Sequence, residues 1–144
     1  MRGSTNQNIG IFTLHRYFIW ANRMRDHFDE RLREHMPRRE GWEIEVNLYM
    51  SYWYGGLYVV IEGWKKLHLH DSYIDDLLNS PNVNLLRRYR NGVFHFQPEY
   101  YNERFLEFIC DGKNAVAWVR TLNQQFGRFF LEWFAAHPFP PPQS

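Results

Sequence analysis

An all-α fold, an up-and-down bundle of four long helices with one or two short ones, follows from three features of this chain. Apolar residues recur three or four positions apart nearly throughout, which is the helical period. Residues 57–61 are rich in β-branched and aromatic types, but no partner strand for them occurs elsewhere. The chain has 144 residues, 44% hydrophobic and 23% charged, a size and composition for one packed core and not two.

The first helix carries Tyr17, Ala21, Met24, Phe28 and Leu32 in a 4-3-4-4 stripe, with Ile11 and Leu14 extending it upstream. Charged residues from Arg23 to Glu34 fill the other face, and Pro37 ends the helix because its nitrogen has no proton to donate. Arg31, Arg33, Arg38 and Arg39 interleave there with Glu30, Glu34 and Glu40, the pattern of a solvated, ion-paired surface. The second helix carries Tyr49, Trp53, Gly56, Val60, Gly63 and Leu67, where the glycines let a neighbouring backbone approach. Asp71-Ser72 caps a short helix through Leu78. After a turn at Asn79-Ser80-Pro81-Asn82, a third main helix carries Leu85, Leu86 and Tyr89 and stops at Pro98. A short amphipathic piece follows from Tyr101 to Ile109, broken by Asp111-Gly112. The last helix has the clearest seam, Ala115, Val119, Leu122, Phe126, Phe129 and Trp133. Residues 1–137 thus make one helical domain, and the Pro-rich stretch 138–144 is expected to be an extended or disordered tail.

The net charge of +1 excludes a protein that holds nucleic acid by total charge alone. The choice of cation is more informative. There are 14 Arg against 3 Lys, and the planar guanidinium suits phosphate and carboxylate. The lone Cys110 allows no intramolecular disulfide, points to a reducing cytoplasm and reads as a small buried hydrophobe. No apolar run reaches the ~20 residues needed to span a bilayer, and the polar N-terminus lacks the apolar centre of a signal peptide. Aromatic residues make up 19% of the chain, more than a small bundle needs for its own core, so part of that surface is expected to meet a second chain.

The stretch that carries chemistry is Arg90-Asn91-Gly92-Val93-Phe94-His95. With 14 Arg and 7 His in 144 positions, about 0.7 Arg–His pairs (14 × 7 / 144) are expected at any one spacing. Requiring Asn directly after the Arg, with 11 Asn in the chain, lowers this to about 0.05. The Asn is therefore the discriminating residue. On a helical projection Arg90 falls among Val83, Leu86, Tyr89, Val93 and Phe94, an apolar face on which an unpaired charge is costly. No acid lies one turn away on the same helix. Asn91 and His95 share the opposite face with Arg88. Arg90 and His95 point about 140° apart on one straight helix, so they meet only if the helix is irregular at Gly92 or if two chains contribute.

These residues, late in an all-α chain of this length, resemble the signature of the HEPN (higher eukaryotes and prokaryotes nucleotide-binding) domain family: Arg, a polar residue that is often Asn, three to five more residues, then His. The resemblance implies a dimer whose motifs meet in a cleft at the interface. It implies a metal-independent endoribonuclease without cofactors, of the toxin–antitoxin or phage-defence kind, with RNA as substrate and an antitoxin protein as a further partner. Arg90 would bind the scissile phosphate, Asn91 would orient groups in the cleft, and His95 would move the proton. Arg87, Arg88 and Arg104 extend the basic patch that would contact the RNA backbone, with a solvated helix face as the competing reading. A toxin subgroup has Tyr two residues after the His, where a nucleotidyltransferase antitoxin modifies it. Gln97 stands at that position here, so that mode of control is not implied.

Other readings compete. His68, His70 and Asp71 lack the further ligands and spacing of a metal site. Glu62, an acid inside an apolar helix, is either a partner for Arg90, a third site residue or a partly exposed edge residue. A non-catalytic RNA- or nucleotide-binding or protein-interaction module of the same fold would carry the same basic pocket, and a purely structural helical partner would carry the motif by chance.

Overall fold

The computed structural model describes residues 2–34 and 39–138, and it is all-helical, with no strand among the described residues. The elements are α1 (Arg2–Leu32), α2 (Trp42–Lys66), α3 (Ser72–Leu77), α4 (Asn82–Phe94), α5 (Glu103–Asp111) and α6 (Ala115–Ala136). Four are long and two are short, and residues 57–61 lie inside α2. Pro37 and residues 139–144 of the tail lie outside the described residues.

α1 and α2 form an antiparallel pair whose contacts run from Gly10 against Leu67, through Gly63 against Leu14 and Gly56 against Ala21, to Phe28 against Trp53. The two α2 glycines are sites of close approach. A β-carbon at Gly56 would stand 3.2 Å from the Cβ of Ala21, and one at Gly63 would collide with the Leu14 side chain. α6 lies antiparallel along α1, from Phe12 against Trp133 to Arg120 against Asp29. Trp53, Tyr54, Leu57, Ile61, Leu86, Phe108, Leu122 and Phe126 make the centre of the core where α2, α4, α5 and α6 meet.

Two expectations about α1 need correction. The helix begins at Arg2, well before Ile11, because Gln7 donates to the Leu67 carbonyl and Gly10 packs under the Leu67 side chain. Its buried side is centred on Ile11, Leu14, Phe18, Ala21 and Phe28, whereas Tyr17 and Leu32 are exposed. The offset arises because α1 faces both α2 and α6, which turns Phe18 inward onto Phe130. Cys110 is exposed, because α5 turns Phe105 and Phe108 inward.

The short elements are held by caps. The Asp71 carboxylate accepts from the backbone N–H of Tyr73 and Ile74 at 3.1 Å and from Arg128 at 2.7 Å, tying α3 to α6. Asn102 caps α5 by accepting from the Arg104 N–H. Asn82, buried at the start of α4, donates to the Lys113 carbonyl and accepts from its N–H, fastening α4 to the turn before α6.

Asp29 joins α1 to α6 through Arg120 and also accepts from Arg25. Burial pushes its pKa up, but the hydrogen bonds and charges of Arg120 and Arg25 outweigh this and hold it below the ordinary value. Asp71 is likewise held low, burial being outweighed by Arg128 and the α3 backbone. A carboxyl with a depressed folded-state pKa adds stability above its unfolded pKa of about 4 and loses it as pH falls below that value. The melting temperature is therefore expected to drop as pH falls below about 4, and Asp29→Asn should flatten part of that drop. An acid limb as steep in the variant as in the wild type would overturn the role given to Asp29.

Candidate functional site

α4 lies across α2, so the motif sits where α2, α4 and α5 converge. Gly92 is buried against α5: a β-carbon there would stand 3.2 Å from the Cβ of Arg104 and from the Phe105 ring. The glycine thus serves the α4–α5 contact. α4 runs through it as helix, so no irregularity occurs at Gly92. The break comes three residues later. His95 is the C-cap in an extended conformation (φ −118°, ψ 128°), so α4 ends at Phe94 and well before Pro98.

Arg90 has a partner from a neighbouring helix. Its Nη1 donates to Glu62 Oε2 of α2 at 3.0 Å, and its Nε donates to Asn91 Oδ1 at 2.9 Å. Its guanidinium carbon lies 4.7 Å from the centre of the Tyr58 ring. Tyr58 and Glu62 are one turn apart on α2, and together they make a cradle for the cation. Burial raises the Tyr58 phenol, Glu62 raises it further, and the opposing pull of Arg90 is smaller, so Tyr58 is protonated at neutral pH. The Arg90 side chain is 20% exposed and that of Glu62 is 38% exposed. The charge on the apolar face is thereby compensated by an acid 28 residues upstream. Asn91, expected on the opposite face, is drawn to Arg90 by its side-chain oxygen.

His95 does not join this cluster through its ring. Its imidazole is exposed and makes no hydrogen bond or ion pair among the described residues. Its backbone is pinned: the His95 N–H donates to the Asn91 carbonyl at 3.0 Å, and the Gln97 side-chain amide donates to the His95 carbonyl at 2.8 Å. Gln97 Oε1 in turn accepts from Arg104 Nη1 at 2.9 Å and from Asn102 Nδ2 at 3.2 Å. Gln97, the position that departs from the toxin subgroup, therefore locks the connection between α4 and α5 and fixes where His95 leaves the helix.

The remaining arginines divide. Arg88 makes a two-pronged ion pair with Glu107 of α5 at 2.6 and 3.2 Å, which holds its guanidinium more firmly protonated. Arg104 is held by Gln97. Arg87 is exposed and, among the described residues, bonds only its helix neighbour Asn84, at 2.8 Å. Of the four arginines, Arg87 is thus the most available to an external phosphate.

The motif is flanked by uncovered aromatic surface. Phe96 is 93% exposed, Tyr100 87% and Tyr101 79%. Beside them Tyr17, Trp20, Met24, Tyr52, Val59 and Phe94 line an apolar groove of about 410 Å³. Phe94 meets Tyr52 edge-on and fills the space left by the absent side chain of Gly55. Tyr58 and Gln97 are the contributors that the motif did not announce; the one-turn spacing of Tyr58 and Glu62 is the signal that pairs them.

His68 and His70 do not converge on a metal site. His68 has a positive φ of 53° at the end of α2, and His70 contacts Asp75 at 3.3 Å. No group of three or more His, Cys, Asp or Glu is placed to hold a metal ion among the described residues, and no helix of the described residues is long and apolar enough to cross a membrane. Compared with known proteins, the chain matches no family model, no curated protein and no solved structure.

Proposed function

We propose that the chain is a metal-independent endoribonuclease of the HEPN type, acting as a homodimer in toxin or phage-defence chemistry in the cytoplasm. The observation that carries this reading is the pairing of Arg90 and Asn91 beside an exposed His95 whose backbone is held at the helix end. RNA brings its own nucleophile, the 2′-hydroxyl. Its oxygen attacks the adjacent phosphorus as its proton is removed, and the 5′-oxygen leaves as it gains a proton. The products are a 2′,3′-cyclic phosphate and a 5′-hydroxyl end. His95 moves the proton, since a neutral imidazole can accept a proton at one ring nitrogen and donate one from the other. Arg90 stabilises the charge on the phosphoryl oxygens, with Asn91 orienting it. Because the His95 ring stands apart from Arg90 within one chain, the complete site takes Arg90 and Asn91 from one protomer and His95 from the other. The uncovered apolar groove next to Phe94 supports such a second copy. Incubating the purified chain with RNA in EDTA and assaying for cyclic-phosphate ends tests the reaction.

The Arg90–Glu62 pair favours a second reading, a non-catalytic module in which Arg90 is a structural cation. Glu62→Gln separates the two. In the ribonuclease reading the substitution releases Arg90 to phosphate and tightens RNA binding several-fold. Gln keeps a side-chain oxygen for Arg90, and solvent still reaches both side chains, so stability changes by about 1 kcal/mol or less. A variant with unchanged RNA affinity and a clearly lowered melting temperature would favour the module.

A further inference from the structure

The cleft between α1 and α6, away from the Arg90 motif, has a graded lining that none of the preceding chemistry uses. It encloses about 700 Å³, within the range of about 300–1,000 Å³ that suits a small ligand. Its two ends differ in character. At one end stand Arg25 and Arg120, with Asn22 and Gln124. The other end is walled by Phe18, Phe130 and Phe134, and His15 lies with its ring 4.5 Å from that of Phe134. Burial lowers the His15 pKa, so this end carries no charge at neutral pH. Gly127 sits at the middle of the cleft, where the missing side chain leaves the passage between the two ends open. From Arg25 to His15 the cleft follows ten residues of helix, about 15 Å.

The polar end offers donors. Asn22 Oδ1 accepts from both Arg25 Nε at 2.8 Å and Asn123 Nδ2 at 3.0 Å, which leaves the Asn22 amide N–H₂ as the free face of that side chain. Asn123 is itself fixed by Trp53, whose indole donates to its oxygen at 3.0 Å. Arg25 and Arg120 share one well-buried carboxylate, Asp29, at 14% exposure, and the second acid on Arg25, Asp26, lies on the outer rim at 40%. A head group that only accepts hydrogen bonds and carries negative charge complements such an end. An apolar chain complements the other.

We propose that the α1–α6 cleft binds an elongated apolar carboxylate, a medium-chain fatty acid or an arylalkanoate, with its head at Arg25, Asn22 and Arg120 and its tail between Phe18 and Phe130. This site is independent of the motif and of the proposed RNA chemistry. A β-carbon at Gly127 would meet only the Phe18 ring, at 3.5 Å, an ordinary contact, so a side chain can start at this position without a clash, and Gly127→Leu is the variant chosen to fill the cleft. Calorimetric titration of the full chain with decanoate is expected to give saturable binding of one molecule per chain. Decanol, which has the same tail without the charge, should bind at least tenfold more weakly. Gly127→Leu should weaken decanoate at least tenfold while melting no lower than the wild type. Amide NMR shifts in the unmodified protein give a readout that does not depend on the variant folding. They are expected to concentrate between residues 15–25 and 120–134. Absence of saturable binding, equal affinity for decanol, unaltered binding in Gly127→Leu, or shifts centred elsewhere would each overturn the proposal.

Discussion

Replacing His95 by alanine is expected to slow RNA cleavage by about 10²–10⁴-fold, the usual contribution of a positioned proton-transfer group. The experiment uses an end-labelled single-stranded RNA, EDTA throughout, and the initial rate as readout. This position gives a clean test because the imidazole makes no hydrogen bond or ion pair among the described residues. Its removal should leave stability within about 0.5 kcal/mol, as for an exposed residue without special contacts. Sedimentation should show the same oligomer for variant and wild type. Arg90→Ala is less informative, because it also strips Glu62 and Asn91 of their partner and so mixes stability with chemistry. Undiminished cleavage by the His95 variant would remove His95 from the reaction.

The largest expected effect on stability comes from Trp53→Ala. Trp53 is 1% exposed at the centre of the core. Its ring meets Tyr54 edge-on at 5.1 Å, Arg120 lies 5.3 Å from its centre, and its N–H supplies the Asn123 oxygen. Loss of a buried large aromatic costs about 3–5 kcal/mol through lost transfer energy and the cavity left behind. Asn123 would also be left with an unsatisfied buried oxygen. Trp53→Phe keeps most of the bulk and removes the donor, so it should cost about 1–3 kcal/mol. Urea unfolding at constant m-value measures both. A loss below about 1 kcal/mol for the alanine variant would contradict the placement of Trp53, given that even Ile→Val in a core typically costs as much.

Local spacing made the helices legible. The stripes in α2 and α6, the Asp71 cap and the Asp111-Gly112 break that closes α5 are set by neighbours within a few residues, and sequence displays such neighbours directly. What escaped depends on distant partners. The early start of α1 rests on Leu67, 60 positions away in the Gln7 bond. The inward turn of Phe18 rests on Phe130. Within the motif, the helical projection found the charged intruder Arg90 on the apolar face but had no means to choose among the readings of Glu62. It also assumed a helix running on to Pro98, whereas Gln97 closes the chain around the His95 carbonyl and ends α4 earlier. Gly92 costs about 1 kcal/mol relative to Ala inside a helix. The compensation is room for α5, a tertiary fact.

The antiparallel seam of α1 and α2 also has a consequence for the order of assembly. These helices are separated only by residues 33–41, so the contacts nearest that connection, such as Phe28 against Trp53, close short loops. By contrast, the Asp29–Arg120 and Asn22–Asn123 bonds bridge 91 and 101 positions. Loop-closure entropy grows with the logarithm of the intervening length, and contacts of low sequence separation form fastest. The glycine-lined hairpin is thus expected to form first and α6 to dock last. Its polar clasp with α1, at Asp29 and Asn22, is expected to close last, and φ-values near 1 at Asp29 with values near 0 along the α1–α2 seam would contradict that order.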